Sequence, residues 1–369
     1  MKKLKLVFIS TRIAPYQVKL CYALQEYFDA ELWFYEGTGG RPSWWNVDLG
    51  DKCKVLNGVF YKRNAKYITF NHLKFLNKVQ PDIVMLAGFT IPANYLAYLW
   101  AKFLNKKIIV FVEVSSKKNR IRGKSFGYKL IKTLYSGIDL VMADKFDAYE
   151  QFKYTFNFGS KVVAAYYPAD INNYLNHPLR SKKEKYTILF GSRLVEKYNP
   201  LFALDVFYEV NKRYKNTILK LNAQGDLREA CEKKISELRL QDCVFFLDDI
   251  KKWEDIDTIY RETDILIFPA IFSHGNILIT ECMASGMGIV ISNKILGNGR
   301  LIVNNYNGFN LELNKESFVN AVISYIENPD LLKKHGSINK ELAKERTPEN
   351  TAKLYYELIM NLFKNNNEK

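Results

Sequence analysis

The chain has 369 residues, is 48% hydrophobic and carries a net charge of +15. That length exceeds what one ordinary core organises, so two domains are expected, and no apolar run reaches the roughly 18 residues of a membrane-spanning helix. The five cysteines are scattered without a CxxC spacing and only four histidines are present. We therefore expect reduced, buried thiols in a cytosolic protein and no metal site.

The positive charge is concentrated in the first half of the chain. Residues 1–170 hold 26 Lys and Arg against 13 Asp and Glu, whereas the remaining residues hold 28 against 26. Such a field favours an anionic partner: nucleic acid, acidic lipid, or a phosphorylated or acidic acceptor. Nucleic acid is not expected, because no reader motif such as an RNA-recognition signature occurs.

Short apolar strands alternate with helices through this basic half. Residues 4–9 predict a first strand and not a signal peptide, and Pro15 is placed to open the helix that follows. Further strands are predicted at 31–35, 83–86, 107–112, 139–143 and 161–164, with a helix at 91–104. This alternation predicts a doubly wound parallel sheet.

A run of basic residues without any acid lies within residues 115–132, interleaved with apolar residues at helical spacing. This pattern predicts a segment that lies on an anionic membrane surface, although a solvated helix face gives the same pattern. The residues assigned to this membrane or anionic-acceptor contact are Lys117, Lys118, Arg120, Arg122 and Lys124.

A polar stretch without periodicity, residues 171–185, predicts a linker between a first domain at 1–170 and a second at 186–347. The second domain contains another series of strands and helices, and a last helix falls within residues 348–369. The expected fold class is therefore α/β, with two Rossmann-like doubly wound domains.

The most informative run is 264–293, which predicts a strand, a loop, a helix ended by Gly286, and a second strand. In a parallel sheet the loop and the start of the helix lie at the carboxyl edge, where ligands bind. Free backbone N–H groups and the helix dipole favour a phosphate there, and Glu281 can accept hydrogen bonds from ribose hydroxyls. An ordinary glycine-stopped α/β unit gives the same pattern. The candidate ligand residues are Ser273, His274, Gly275, Asn276 and Ile277.

A second constellation, residues 191–197, ends the first strand of the second series. It contains Gly191, Ser192, Arg193 and Lys197 in a loop at the edge of the sheet. Two fixed positive charges suit a diphosphate and stabilise the charge that builds as it departs. Without other information, a surface loop with ordinary charges is the simpler interpretation.

The segment Glu281–Gly286, which reads ECMASG, resembles the E-A-M-A-S-G helix of retaining GT-B glycosyltransferases, family 4 in particular. The loop at 191–197 is similar to that family's G-R-L-x-x-x-K, whose Arg and Lys hold the nucleotide diphosphate. Arg193 matches the Arg, while Tyr198 stands at the usual Lys position with Lys197 one place earlier. The family's first donor-facing Glu corresponds to Ser273. Weaker similarity occurs at 14–17, 81–84, 297–299 and 307–309.

The resemblance implies a GT-B fold with two domains facing a cleft and the last helix crossing back onto the first domain. It implies Arg193, Lys197 and Glu281 as catalytic residues, and no metal or other cofactor, because the nucleotide-sugar is a co-substrate. Gly191, Ser192, Gly297 and Asn298 join the donor-binding residues. Many family members have a first-domain His in the cleft. The nearest candidates here for the cleft or the acceptor are Tyr16 and Glu113.

These observations predict a retaining, metal-independent hexosyltransferase that moves a sugar from a UDP-sugar to a lipid-linked or anionic glycan acceptor. Its expected role is surface polysaccharide synthesis, in the cytoplasm and peripheral at the inner membrane face. Two alternatives stay open. One is an inactive nucleotide-sugar-binding subunit of the same fold, motivated by Ser273 and Tyr198. The other is a sugar-nucleotide epimerase of the same architecture.

Overall fold

The computed structural model describes residues 2–37, 47–56, 61–63, 66–113, 132–273 and 276–364. The chain divides into two compact units, the first formed by Met1–Pro168 with Pro348–Lys369 and the second by Ala169–Thr347. Several predicted site residues lie outside the described residues: His274, Gly275, Lys117, Lys118, Arg120, Arg122 and Lys124.

The first unit is built on a parallel sheet that has seven strands within the described residues. Their order is β3-β2-β1-β6-β7-β8-β9. Both neighbours of β1 run parallel to it, and β1 and β6 meet where the strand order reverses. The strands are β1 Lys5–Arg12, β2 Asp29–Glu36, β3 Cys53–Val55, β6 Ile83–Ala87, β7 Lys107–Val112, β8 Leu140–Asp144 and β9 Val162–Ala165. Two further strands, β4 Tyr61–Arg63 and β5 Lys66–Ile68, form an antiparallel pair.

The second unit has a parallel sheet with the order β12-β11-β10-β13-β14-β15, six strands within its described residues. Strands β10 and β13 are direct neighbours, with Ile188 opposite Ile265. This pairing brings the loops that follow both strands to the same edge of the sheet. The strands are β10 Tyr186–Phe190, β11 Thr217–Asn222, β12 Val244–Leu247, β13 Ile265–Phe268, β14 Gly288–Ser292 and β15 Phe309–Leu311.

Helices pack on the sheets, and several begin with a proline at a position where its missing N–H costs nothing. They are α1 Pro15–Leu24, α2 Asn71–Val79, α3 Pro92–Phe103, α4 Lys145–Glu150, α5 Pro200–Arg213, α6 Arg228–Glu237, α7 Trp253–Glu262, α8 Ile277–Ala284, α9 Lys315–Glu327, α10 Pro329–Lys344 and α11 Pro348–Lys364. The predicted α/β class with two Rossmann-like doubly wound domains is confirmed.

The C-terminal helix α11 belongs to the first unit. Tyr355 and Ile359 are fully buried in that unit's apolar core, together with Val18 and Leu24 of α1. The Tyr355 hydroxyl also donates a hydrogen bond to the carbonyl oxygen of Tyr166, at 2.9 Å. The chain therefore returns to its first unit after completing the second.

Residues 171–185, predicted as a linker, are part of the second unit. Ile171 and Tyr174 are buried in an apolar cluster beneath that unit's sheet. Arg180 is also buried, and it donates hydrogen bonds to the carbonyl oxygens of Thr263 at 2.7 Å and Tyr260 at 2.6 Å. The segment lacks periodicity because polar contacts to loops and helix ends fix it, which a hydrophobic pattern does not record.

Candidate functional site

The two constellations predicted at 191–197 and 273–277 meet in the second unit. Asn276 caps the start of α8, because its Oδ1 accepts a hydrogen bond from the Leu278 N–H at 3.0 Å. Its Nδ2 also donates to the Ser192 hydroxyl at 3.2 Å. Gly191 lies so close to α8 that a Cβ there would stand 2.9 Å from a methyl group of Leu278. The two loops thus form one site at the carboxyl edge of the sheet.

A second contact joins the same loops. The carbonyl oxygen of Lys197 accepts hydrogen bonds from the backbone N–H groups of Ile271 at 2.9 Å and Phe272 at 3.4 Å. The Lys197 ammonium lies 4.7 Å from the centroid of the Tyr198 ring, which in turn packs against Phe268. Lys197 is therefore part of this site, and a cation–π contact holds its side chain in place of an ion pair.

The Arg193 side chain is exposed, and no hydrogen bond or ion pair within the described residues engages its guanidinium. Its backbone is fixed, since the adjacent Leu194 is fully buried and donates its N–H to the Gln224 carbonyl oxygen at 2.7 Å. An unengaged guanidinium on an anchored loop is suited to bidentate contact with a phosphate.

Ser273 is buried on the other side of the α8 entrance. Its N–H donates to the Lys294 carbonyl oxygen at 3.4 Å, and its own carbonyl oxygen accepts from Leu296 at 2.9 Å. Gly297, the residue directly after Leu296, adopts a positive φ of 58°, a conformation that favours glycine. Two of the predicted donor-binding residues, Ser273 and Gly297, are thus neighbours. The side chain of Asn298 is not among the described parts of the chain.

Glu281 lies on α8 with 9% of its surface exposed. Its carboxylate accepts a hydrogen bond from the Tyr260 hydroxyl at 2.7 Å. Burial raises the pKa of Glu281 to about 7, the Tyr260 hydrogen bond opposes that rise, and the negative charge of Asp170 adds to it. At neutral pH this side chain is therefore able to exchange between its charged and neutral forms.

No pattern in the sequence singles out Tyr260 or Asp170. Both reach Glu281 only through tertiary packing, Tyr260 from α7 and Asp170 from the start of the second unit, one residue before the predicted linker. A tyrosine on the helix before β13 was the only available signal, and tyrosines are too common in this chain for it to be selective.

In the first unit, the predicted residues Tyr16 and Glu113 follow strands β1 and β7. The half-buried Tyr16 ring packs edge-on against Tyr167, with centroids 5.8 Å apart. Glu113 reaches solvent, but the surrounding protein raises its pKa, and the negative charge of Asp144 adds to the rise. Asp144 ends the neighbouring strand and pairs with Lys145 at 2.7 Å. Asp144 is a polar residue at this edge that the sequence analysis did not select.

Within the described residues no group of three or more His, Cys, Asp and Glu side chains is arranged to hold a metal ion. The absence of a metal or other cofactor stays a prediction. None of the helices in the described part of the chain is both long enough and apolar enough to cross a bilayer.

Residues 175–342 match the family described as Glycosyl transferases group 1. The chain is 28% identical over 131 residues to an uncharacterized glycosyltransferase of Haemophilus influenzae. It is 34% identical over 70 residues to the UDP-Gal:alpha-D-GlcNAc-diphosphoundecaprenol alpha-1,3-galactosyltransferase of Escherichia coli. These matches cover 35% and 19% of this chain, and they span only 36% and 18% of the two relatives.

Solved structures resemble the chain over almost its whole length. A glycosyltransferase from Rickettsia africae has a TM-score of 0.74 and 16% identity, with 99% of this chain and 100% of that chain covered. Anabaena Alr3699/HepE, solved in complex with UDP and glucose, has a TM-score of 0.71 and 14% identity, with 97% and 99% covered. At these identities the likeness establishes a shared fold.

Proposed function

We propose that this chain, which has the GT-B fold and whose residues 175–342 match the glycosyl transferases group 1 family, is a retaining glycosyltransferase of that family. Its proposed donor is a UDP-sugar, and its proposed acceptor is a lipid-linked or anionic glycan. The observation that carries the proposal is the hydrogen bond from Asn276 to Ser192. It joins the loop that contains Arg193 to the start of α8, the helix that contains Glu281. One diphosphate can then contact both.

In this arrangement the second unit stabilises the leaving group. The Arg193 guanidinium and the Lys197 ammonium face the charge that develops on the departing diphosphate, and the positive end of the α8 dipole assists them. Glu281 accepts hydrogen bonds from the ribose hydroxyls. Stabilisation that increases as the bond breaks raises the rate without a dedicated protein nucleophile or a metal.

Two features support the choice of substrates. The Anabaena structure of similar fold contains UDP and glucose, and the Escherichia coli relative acts on a diphosphoundecaprenol-linked sugar. The excess of Lys and Arg in residues 1–170 favours an acidic or phosphorylated acceptor at an anionic membrane surface. We therefore place the enzyme at the inner membrane face, in synthesis of a surface polysaccharide.

The test is turnover of UDP-sugars by the full chain, with and without lipid-linked acceptors. Arg193→Ala and Glu281→Ala should each lower turnover by roughly two orders of magnitude, the loss typical of removing an electrostatic partner of the transition state. A matched control is Arg213→Ala, which removes an exposed arginine at the far end of α5 and should leave turnover unchanged.

The alternatives give different results in the same assay. An inactive donor-binding subunit, which the missing acid at Ser273 favours, would bind UDP-sugars without turnover on any acceptor. An epimerase would convert the sugar of the donor with no acceptor present. Wild-type rates in both site variants would contradict the assignment of the site.

A further inference from the structure

Helix α3 is apolar on its outer face. Leu96, Leu99, Trp100 and Phe103 recur at the spacing of one face of a helix, and Lys102 is the only charged residue between Pro92 and Phe103. Phe103 is 86% exposed and Leu99 is 42% exposed, whereas Leu96 and Trp100 are half-buried. A helix on the surface of a globular protein normally turns polar residues outward, yet Leu99 and Phe103 remain uncovered over much of their surface by the described part of the chain.

The stripe lies beside a second helix with exposed lysines. The Trp100 indole N–H donates a hydrogen bond to the Asn77 side chain of α2 at 2.7 Å, which fixes the two helices side by side. Lys74 and Lys78 of α2 are exposed, as is Lys102 of α3. We call Leu99, Trp100, Phe103, Lys74, Lys78 and Lys102 the α2–α3 face.

The stretch of sequence that contains these two helices is strongly basic. Residues 52–112 contain ten Lys and Arg and a single acid, Asp82. The Asp82 carboxylate is already used inside the unit, where it accepts a hydrogen bond from the Lys5 backbone N–H at 2.8 Å. The lysines of the α2–α3 face are therefore not neutralised by acids from the same stretch of sequence.

We propose that the α2–α3 face docks on an anionic lipid bilayer, with Leu99 and Phe103 entering the headgroup boundary and the three lysines contacting lipid phosphates. Exposed aromatic and aliphatic residues flanked by lysines are the composition that binds at such an interface. A second copy of this chain fits less well, because apposed copies would bring the same lysines together. This proposal rests on the proposed function, because a lipid-linked acceptor is the reason for an enzyme to lie at a membrane. The residues of the α2–α3 face are distinct from the basic run at 115–132.

The test is co-sedimentation of the full chain with vesicles of phosphatidylglycerol and phosphatidylcholine. The double variant Leu99→Ser, Phe103→Ser should bind at least roughly tenfold more weakly, because it removes the apolar part of the attachment. The triple variant Lys74→Gln, Lys78→Gln, Lys102→Gln should lose binding mainly at low salt, where unscreened charge contributes most.

The matched control is Phe245→Ser, which removes a phenylalanine that is 47% exposed on β12 of the second unit and should not change vesicle binding. Melting temperatures verify that all variants fold. Wild-type vesicle binding by the double variant would overturn the proposal. A loss of self-association with unchanged vesicle binding would also overturn it and assign the face to a second copy.

The outcome is separable from that of the proposed function. UDP-sugar turnover in vesicle-free buffer should be unchanged in the double variant, since the α2–α3 face belongs to the first unit and contributes no donor-site residue. A wild-type chain that binds vesicles but turns over no UDP-sugar would refute the transferase and leave the docking surface intact.

Discussion

Glu281 is the residue in which burial and function oppose each other most directly. A carboxylate with 9% of its surface exposed pays a desolvation cost, and the hydrogen bond from Tyr260 offsets part of that cost. The result is a pKa of about 7 in place of the usual 4.5. The group that we propose accepts hydrogen bonds from the ribose is therefore close to losing its charge under ordinary conditions.

The pH dependence of donor binding tests this balance. The charged carboxylate is the better acceptor for ribose hydroxyls, so UDP affinity should fall as the pH decreases through about 7. In Tyr260→Phe the hydrogen bond that favours the charged form is lost, and the midpoint should move to higher pH. Calorimetric titration with UDP between about pH 5 and pH 9 measures both profiles.

Glu281→Gln is the control. Its side chain cannot titrate, so the decrease in UDP affinity at low pH should be absent. The same raised pKa predicts a stability effect of definite sign. The folded chain keeps a proton that the unfolded chain releases above about pH 4.5, so this group's contribution is full at low pH and is lost as the pH rises through 7. If the midpoint of the pH profile of UDP affinity is unchanged in Tyr260→Phe, the tyrosine hydroxyl does not influence the protonation of Glu281.

At this scale, the sequence predicted the residues that carry a motif, but not their supporting contacts. Asn276, Ser192 and Glu281 were selected from short stretches, and the structure brings those stretches together. Tyr260 and Asp170 were not selected, because distant segments place them and no local pattern marks them. The cation–π contact between Lys197 and Tyr198 could not be predicted either, because a motif gives residue types and not side-chain positions.

At the scale of elements, the position of α8 depends on a close approach between two backbones. Gly286 ends α8 with a positive φ of 76°, and α10 crosses that turn at Gly336. A Cβ at position 336 would stand 2.4 Å from the Gly286 carbonyl oxygen. Because the obstacle is backbone and not a flexible side chain, the neighbouring turn has little freedom to move away.

Gly336→Ala separates two opposing effects. Helix propensity alone predicts that alanine stabilises the interior of α10 by about 1 kcal/mol. The close contact predicts a destabilisation of about 1–3 kcal/mol from overpacking, and we expect it to prevail. Urea unfolding measures the difference, with the exposed Ser337→Ala of the same helix as the control. A more stable Gly336→Ala variant would mean that the two elements separate without cost.

Long elements were predicted well from their patterns, and short or irregular ones were not. Strand β7 was placed at its observed bounds, because six consecutive residues favour a buried strand. The three-residue strand β3 was missed, since it is too short to show alternation. An asparagine directly before a helix favours a side-chain cap, yet Asn199 before α5 adopts a positive φ of 60° and makes no such hydrogen bond.

At the scale of the whole molecule, each unit has its own apolar core, and the two contribute differently to function. The core beneath β10 and β13 supports the proposed donor site, while the core that includes α1 and α11 supports the first unit. The motifs that allowed prediction are almost all in the second unit. The residues that follow the strands of the first unit match no comparably specific motif, so the proposed acceptor could be predicted only as an anionic or lipid-linked molecule.

The location of the proposed donor site in one unit predicts that a ligand stabilises that unit selectively. UDP at about 100 times its dissociation constant adds about 2.7 kcal/mol to the state that binds it. Trp253 is the only tryptophan of the second unit, so in Trp253→Phe all remaining tryptophans report on the first. UDP should raise the calorimetric transition of residues 169–347 and leave the tryptophan fluorescence transition of this variant in place. If both transitions move together by the same amount, the two cores unfold as one, and the donor site stabilises the entire chain.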